Sequence, residues 1–181
     1  MYKRQGDGGA IFTDDAEKAD LYRSIRFHGS SNSDRYEILR IGTNGRLDTM
    51  QAAILMVKLE AYPAELTQRM RVAARYDATL PKQIRRPARS PNAMSAWPLY
   101  VVETPSRDHV KASLAKQGIP SAVYYPKPLH FQPAYERYGR GPGSLPVAES
   151  LCSRVLALPM HADLEDATVD RIVAAVADAL H

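Results

Sequence analysis

An amide and a guanidinium lie close together in this chain, immediately before a segment with a strong helical pattern. Asn44 and Arg46 flank a glycine. Asp48 follows, with Gln51 three residues later, which is a capping-box pattern. Helix N-termini attract anions, and the planar fork of arginine matches a carboxylate or a phosphate. The pattern predicts an anion-binding loop outside the first turn of a helix, and a capped surface helix with a solvated arginine fits the same residues.

Hydrophobic spacing predicts the helices that must position this loop. Apolar residues recur at helical intervals after Asp48 and predict a helix to about residue 62, where Pro63 is expected to kink or restart it. A second helical run extends to about residue 80. Upstream, Asp14 and Glu17 form another capping-box pattern, which predicts a helix to about residue 27.

Residues 10–13 are a short apolar segment that predicts a strand. One strand and three helices before residue 80 cannot make a parallel sheet that is covered on both faces. We therefore expect this strand to pair with another chain, or the sequence to be part of a larger protein.

A proline-rich stretch at residues 81–98 predicts a linker. Beyond it, strands and helices alternate as in an α+β or α/β unit. The expected elements are a strand at 99–102, a helix from 106 to 118, a strand at 121–125, a short helix at 130–138, a helix at 147–153, a strand at 155–158 and a last helix capped by Asp163.

The composition indicates a globular protein in a reducing compartment. The chain has 181 residues, of which 45% are hydrophobic and 24% charged, and its formal net charge is +4. The single cysteine, Cys152, excludes an internal disulfide and is expected to be a buried thiol rather than a nucleophile. No apolar run reaches the roughly 20 residues of a membrane span, and no secretory signal is recognisable. We therefore expect the cytoplasm and no membrane partner.

Nucleic-acid and metal sites are disfavoured by the sequence. The only local basic cluster lies among prolines, without stacking aromatics, and consists of Lys82, Arg85, Arg86 and Arg89. Because a nucleic-acid arm is usually denser, the cluster predicts a solvated linker. The histidines show no metal-ligand spacing, so no metal site is expected.

Several segments occur in a fixed order that points to one enzyme family. They are GDGGAIFT (6–13), RFHG (26–29), NGRLDTMQAAIL (44–55), KL (58–59), RY (75–76), VYYPKPLH (123–130) and LPMH (158–161). Together they make the chain resemble the DegT/StrS family of nucleotide-sugar aminotransferases, which use pyridoxal phosphate (PLP) and have fold type I. Within the family, residues 110–123 and 132–134 are similar to those of aminotransferases that act on UDP-linked 3-keto-hexuronates.

The resemblance implies an α/β fold, the C-terminal part of a fold-type-I PLP-dependent transferase. Residues 6–80 would be a remnant of the large PLP-binding domain, a strand plus helices that include long interdomain helices. Residues 81–98 would be a linker, and residues 99–181 a small α+β domain. The implied activity transfers an amino group, with glutamate as the expected donor, to a UDP-linked keto sugar in surface-polysaccharide or amino-sugar biosynthesis.

The resemblance also assigns roles to five residues. Asn44 would reach the phosphate of PLP in the partner subunit of a homodimer with shared active sites, and Arg46 would bind a charged part of the substrate. Tyr124 and Tyr125 would face the substrate, although neighbours on one strand point to opposite faces. His130 would contact the substrate from the adjoining proline-rich turn.

No catalytic residue is expected within the chain. The lysine that forms the family's Schiff base with PLP lies six residues before the GDGG turn, which would precede residue 1 here, and Lys3 has the wrong spacing to replace it. The first five residues, MYKRQ, do not match the family and correspond to a translated transposase sequencing adapter. We therefore expect a non-native start on a truncated reading frame, with a natural restart as the alternative.

Two functions remain open at this point. The chain is either a fragment of a nucleotide-sugar aminotransferase, inactive by itself, or a non-catalytic module that binds a nucleotide sugar or dimerises. The sequence leaves open which sugar and keto position are involved, which amino donor is used, and whether the fragment folds stably alone.

Overall fold

The computed structural model describes residues 8–180. The non-native start expected at residues 1–5, which includes Lys3, and the first half of the GDGG turn lie outside the described residues. Contacts divide the chain into two compact units, Met1–Tyr62 and Pro63–His181, and each has its own architecture.

The first unit contains helix α1, Ala16–Arg26. Its N-cap is Asp15, whose Oδ1 accepts a hydrogen bond of 3.0 Å from the Lys18 amide. The predicted cap at Asp14 was wrong by one residue, because the extended backbone at Asp15 directs that carboxylate to the third helical amide. Glu17 lies in the first turn, where an acidic side chain interacts favourably with the helix dipole.

Residues 10–13 form no strand with any part of the chain that the structure describes. Ile11 and Phe12 are 75% and 92% exposed. A strand needs a neighbour that completes its ladder of hydrogen bonds, and none of residues 8–180 pairs with this segment. The apolar segment therefore lies open to solvent here, and the strand that it would form with another chain or with the rest of a larger protein stays a prediction.

Helix α2 spans Thr49–Thr79 as one element of 31 residues. It begins directly after Asp48, as predicted, and the Asp48 carbonyl accepts from the Ala52 amide at 2.9 Å. The predicted restart at Pro63 was wrong, because a proline removes only one backbone donor and the helix beyond it is stabilised by packing. A kink at Pro63 stays a prediction. The buried side chains of α2 are Val72, Ala73 and Tyr76.

The second unit combines helices with two short strands. After α2 come β1 (Tyr100–Glu103), α3 (Arg107–Lys116), α4 (Pro146–Arg154), β2 (Val155–Leu158) and α5 (Asp166–Asp178), with 3-10 turns at Leu129–Phe131 and Glu136–Tyr138. The two strands pair antiparallel, with Tyr100 opposite Leu158 and Glu103 opposite Val155. Helix α3 packs against α5 and β2.

Among the described residues, the buried hydrophobic side chains all belong to the second unit. Tyr76 and Tyr100 lie at its centre with ring centroids 4.8 Å apart, and the Tyr76 hydroxyl donates to the Pro159 carbonyl at 2.9 Å. Burial holds the pKa of the Tyr76 hydroxyl above its usual value. Leu114 of α3 and Leu156 of β2 are fully buried beside them in the same core.

Arginine–aspartate pairs tie α5 to α2. Arg75 donates from Nε and Nη2 to the two oxygens of Asp170, at 2.7 and 2.6 Å, and its Nη1 lies 3.1 Å from Asp166. Arg71 also pairs with Asp166 and donates to the Leu164 carbonyl at 2.7 Å. The hydrogen bonds from Arg75 hold the pKa of Asp170 below its usual value.

Two of the elements predicted between residues 121 and 138 were wrong. The strand expected at 121–125 is only a single bridge between Ala122 and Ala157, because prolines on both sides prevent a longer ladder. The helix expected at 130–138 is two 3-10 turns separated by Pro133, which cannot donate a helical hydrogen bond.

The start of the last helix also differs from the prediction. Its N-cap is Glu165 rather than Asp163, and the Glu165 carbonyl accepts from the Val169 amide at 3.1 Å. The Asp163 prediction was wrong because Glu165 is the residue at which extended backbone gives way to helix.

The proline-rich stretch at 81–98 contributes to the second unit. Ile84 and Trp97 are buried in its core. Arg85 lies 3.4 Å from a Glu103 oxygen, and Arg89 forms an ion pair with a carboxylate of α2, so two cations of the basic cluster are neutralised locally. The division into domains at this stretch stays a prediction.

Neither a membrane-spanning helix nor a metal-binding cluster occurs among the described residues. None of the helices within residues 8–180 is long and apolar enough to cross a membrane. The same residues contain no group of three or more His, Cys, Asp or Glu side chains placed to hold a metal ion.

Candidate functional site

The loop that carries Asn44 and Arg46 is fastened to the C-terminal end of α1. The Thr43 amide donates to the Ile25 carbonyl at 2.8 Å, and the Gly45 amide donates to the Arg26 carbonyl at 2.8 Å. Backbone bonds thus hold the loop on both sides of Asn44. The sequence predicted only the helix that follows the loop, since contacts with α1 depend on tertiary structure.

Two glycines allow this close approach. A Cβ on Gly42 would lie 2.2 Å from the Gly29 nitrogen and 2.5 Å from the Ile25 carbonyl oxygen. Gly29 itself has a φ of +80°, and a Cβ there would lie 1.8 Å from the Arg40 carbonyl oxygen. Both positions therefore require glycine. Gly45 is less constrained, because the nearest atom to its Cβ would be the Arg26 Cβ at 3.3 Å, and the Arg26 backbone would lie 3.5 Å away.

Asn44 and Arg46 form a pair on the exposed surface of this loop. Arg46 donates from Nε to Asn44 Oδ1 at 2.9 Å, and its guanidinium carbon lies 5.0 Å from the centroid of the Phe27 ring. These contacts orient the Asn44 amide and the guanidinium together. The Asn44 Nδ2 and the two Arg46 Nη atoms have no hydrogen-bond partner within residues 8–180, so they are available to an anionic ligand.

A groove of about 740 Å³ adjoins the loop in the first unit. Its wall combines apolar and basic side chains, namely Ile11, Phe12, Tyr22, Arg23 and Arg26, together with Gly45. Arg23 is paired with Asp20 at 2.8 Å on the surface of α1.

Tyr124 and Tyr125 lie in the second unit, on a separate cavity. Their ring centroids are 5.9 Å apart, with the rings nearly perpendicular. The cavity has a volume of about 440 Å³ and is lined largely by apolar groups. Leu151 and Cys152 of α4 line it as well, as does Leu129 of the first 3-10 turn. Tyr125 is 73% exposed, so its ring forms the rim of the cavity.

His130 is engaged by a carboxylate. Its Nε2 lies 3.1 Å from Glu149 Oε1, and the His130 side chain is only 10% exposed. Glu149 also accepts from the amides of Gly143 and Leu145, at 2.9 to 3.1 Å. These amides and His130 hold the pKa of Glu149 below its usual value. The contact of His130 with substrate stays a prediction.

Glu149 was not singled out by the sequence. The available signal was an acidic residue in the first turn of a helix that opens with a proline, after a glycine-rich loop. His130 is 19 positions away, so local patterns could not reveal the pair. The structure therefore brings together Asn44 with Arg46 in one unit, and Tyr124 with Tyr125 in the other.

The family profile of DegT/DnrJ/EryC1/StrS aminotransferases matches residues 4–177. A UDP-2-acetamido-2-deoxy-3-oxo-D-glucuronate aminotransferase of Pseudomonas aeruginosa is 44% identical over 172 residues, which are 94% of this chain and 46% of that protein. The chain spans about half the length of the curated relatives it matches.

Solved structures share the fold. A DegT/DnrJ/EryC1/StrS aminotransferase from Brucella abortus superposes with a TM-score of 0.87 and 47% identity, over 92% of this chain and 44% of that one. A candidate sugar aminotransferase from Streptococcus pneumoniae, solved in its PLP form, superposes with a TM-score of 0.80 and 26% identity, over 96% of this chain and 47% of that one. These likenesses confirm the predicted α/β fold class.

Proposed function

Because this chain belongs to the DegT/DnrJ/EryC1/StrS aminotransferase family, we propose that it serves a PLP-dependent transfer of an amino group to a keto sugar carried by a nucleoside diphosphate. The observation that carries the proposal is the Asn44–Arg46 pair, an exposed set of hydrogen-bond donors fixed by backbone contacts. The Pseudomonas relative acts, by its name, on a UDP-linked 3-oxo sugar, and we propose a substrate of this class.

The donors in the loop fit the phosphate of PLP. The Asn44 Nδ2 can donate to a phosphate oxygen while Asn44 Oδ1 remains bonded to Arg46. When bound, PLP supplies an electron sink for the substrate carbon that receives or loses nitrogen. The contribution of this chain is to hold the phosphate end in place.

Arg46 fits a charged part of the substrate. Its Nε is used internally by Asn44, which leaves the Nη1 and Nη2 donors pointing outward as a fork. Such a fork binds a carboxylate or a phosphate with defined orientation, as a glucuronate or a diphosphate presents. We assign Arg46 to the orientation of the sugar nucleotide rather than to proton transfer.

The tyrosine cavity of the second unit, taken by itself, fits an uncharged part of a nucleotide sugar. Tyr124 and Tyr125 present aromatic faces and hydroxyl groups beside a largely apolar wall, a combination that suits stacking with a base or a sugar. Lys127 lines this cavity too and provides a cation for a diphosphate. We propose that glutamate supplies the amino group.

A homodimer with shared sites accounts for the exposure of the first unit. Asn44 and Arg46 lie at the surface, and α2 exposes Met50, Ile54 and Val57 immediately afterwards. Exposed apolar side chains at helical spacing favour association with another surface. We propose that this face packs against a partner subunit and that Asn44 then serves the partner's PLP.

A chimera tests the proposed function. The segment of the Pseudomonas relative that this chain matches is replaced with residues 8–180, and the purified chimera is assayed with glutamate and the UDP-linked 3-oxo sugar. We expect formation of the amino sugar and 2-oxoglutarate. The 181-residue chain assayed alone with PLP is the control and is expected to transfer nothing. A folded chimera that binds PLP but transfers no nitrogen would refute the proposal, and transfer by the chain alone would refute its dependence on the remainder.

A further inference from the structure

Two segments that line the tyrosine cavity are joined by a polar cluster beside it. His130 lies between Leu129 and Gln132, which both line the cavity. Glu149 lies on α4, two and three residues before Leu151 and Cys152, which line it too. The 3.1 Å contact between His130 Nε2 and Glu149 Oε1 therefore links the 3-10 turn to the helix that supplies these lining residues.

Glu149 is also the anchor of the loop between these two segments. Both of its oxygens accept from the Gly143 amide, at 2.9 and 3.0 Å, and Oε1 accepts from the Leu145 amide at 3.1 Å. Because a carboxylate only accepts hydrogen bonds, we assign a hydrogen to His130 Nε2, which donates a hydrogen bond to Glu149. One side chain thus holds both ends of residues 130–145.

Apolar packing does little to hold this part of the molecule. No residue from 129 to 150 is buried, and Leu129 is 65% exposed. A segment with few buried apolar contacts opens readily unless polar contacts hold it. The position of Leu129, which lines the cavity, therefore depends on the His130–Glu149 contact and on the hydrogen bonds from the Gly143 and Leu145 amides to Glu149.

We infer that His130 and Glu149 are positioning residues: a latch that fixes the width of the tyrosine cavity without touching its ligand. The inference rests on the proposed function only for the identity of that ligand. It assigns to His130 a role through Glu149, where the family resemblance implies direct contact with substrate.

The reactivity of Cys152 reports the latch, because this thiol lines the cavity and is the only cysteine of the chain. In the purified 181-residue protein, His130→Ala and Glu149→Ala are expected to raise the rate of alkylation by an uncharged maleimide about tenfold, the factor for loss of one charged hydrogen bond. His130→Gln, whose amide can still donate to Glu149, is expected to restore the wild-type rate.

Two exposed residues of the same types serve as matched controls. His109→Ala and Glu136→Ala alter side chains on the surface of the same unit and should leave the alkylation rate unchanged. The double variant His130→Ala/Glu149→Ala should react no faster than the faster single variant if both act through one contact. Trp97 fluorescence and circular dichroism confirm that each variant is folded.

An unchanged rate in His130→Ala, or a His130→Gln rate equal to that of His130→Ala, would overturn the latch. Hydrogen exchange of the wild-type protein tests the latch without any variant, because the amides of Gly143 and Leu145 should be protected. Fast, unprotected exchange at both amides would also overturn it. Protection of Cys152 by UDP is measured separately. If UDP does not protect Cys152, this result would count against a nucleotide in this cavity but would not bear on the latch.

Discussion

At the scale of single residues, the proposed function depends on hydrogen-bond donors that residues 8–180 hold in place but leave without a partner. Arg46 donates from Nε to Asn44, while its two Nη atoms and the Asn44 amide nitrogen have no partner among those residues. Arg75 differs, because its guanidinium donates to the carboxylates of Asp166 and Asp170. The arrangement at Arg46 leaves donors for a ligand, whereas the ion pairs of Arg75 stabilise the fold.

The Arg75–Asp170 pair predicts a pH dependence of stability. The pKa of Asp170 is lower in the folded state, so its contribution is present above the usual carboxyl pKa and is lost as pH falls through the folded value. We expect Asp170→Asn to lower the urea midpoint at neutral pH, and the gap from wild type to close in acid. Asp178→Asn, at an exposed position of the same helix, should show no such gap. A gap that persists unchanged into acid would contradict this assignment.

At the scale of elements, the sequence predicted those helices and strands whose bounds depend on local residue patterns. The start of α2, the strand at 155–158 and a helix near 147–153 were confirmed within a residue or two. The restart at Pro63 was wrong because the helix is stabilised by packing further along. The 121–125 strand was wrong because a strand depends on its partner rather than on its own composition.

The site divides in the same way between local and tertiary information. The sequence pointed to Asn44 and Arg46 because they precede a capped helix, and the family resemblance pointed to the tyrosines; the roles of all four stay predictions. It could not reveal Glu149, whose partners are His130 and two loop amides, nor the requirement for glycine at Gly42. Those depend on segments that meet only in the folded chain.

Because the core is unevenly distributed, we expect the same leucine-to-alanine substitution to have very different effects on stability at two helices. Leu114 of α3 is fully buried, whereas Leu59 of α2 is 67% exposed. Leu114→Ala should lower the free energy of unfolding by about 2–5 kcal/mol, because it leaves a cavity. Leu59→Ala should change it by less than about 0.5 kcal/mol. Urea denaturation followed by Trp97 fluorescence and circular dichroism measures both, and equal losses would contradict this description of the core.

At the scale of the whole molecule, the two units differ in how they use apolar residues. The second unit buries them in one core, and the first exposes Phe12, Met50 and Val57. The chain also spans about half the length of its curated relatives, and its family membership rests on the family profile that matches residues 4–177. The exposed face and the exposed donors lie in the same unit, which is why we propose that this unit acts against another subunit.

The most direct test of the central claim, that this chain supplies groups to a site for an anionic keto-sugar nucleotide, is the KM of the chimera for the UDP-linked 3-oxo sugar with Arg46→Ala. Loss of a charged hydrogen bond of about 1.5–3 kcal/mol should raise KM roughly 10- to 100-fold with little change in kcat. Arg46→Lys should fall between, because lysine keeps the charge but not the fork. An unchanged KM in Arg46→Ala would contradict the account.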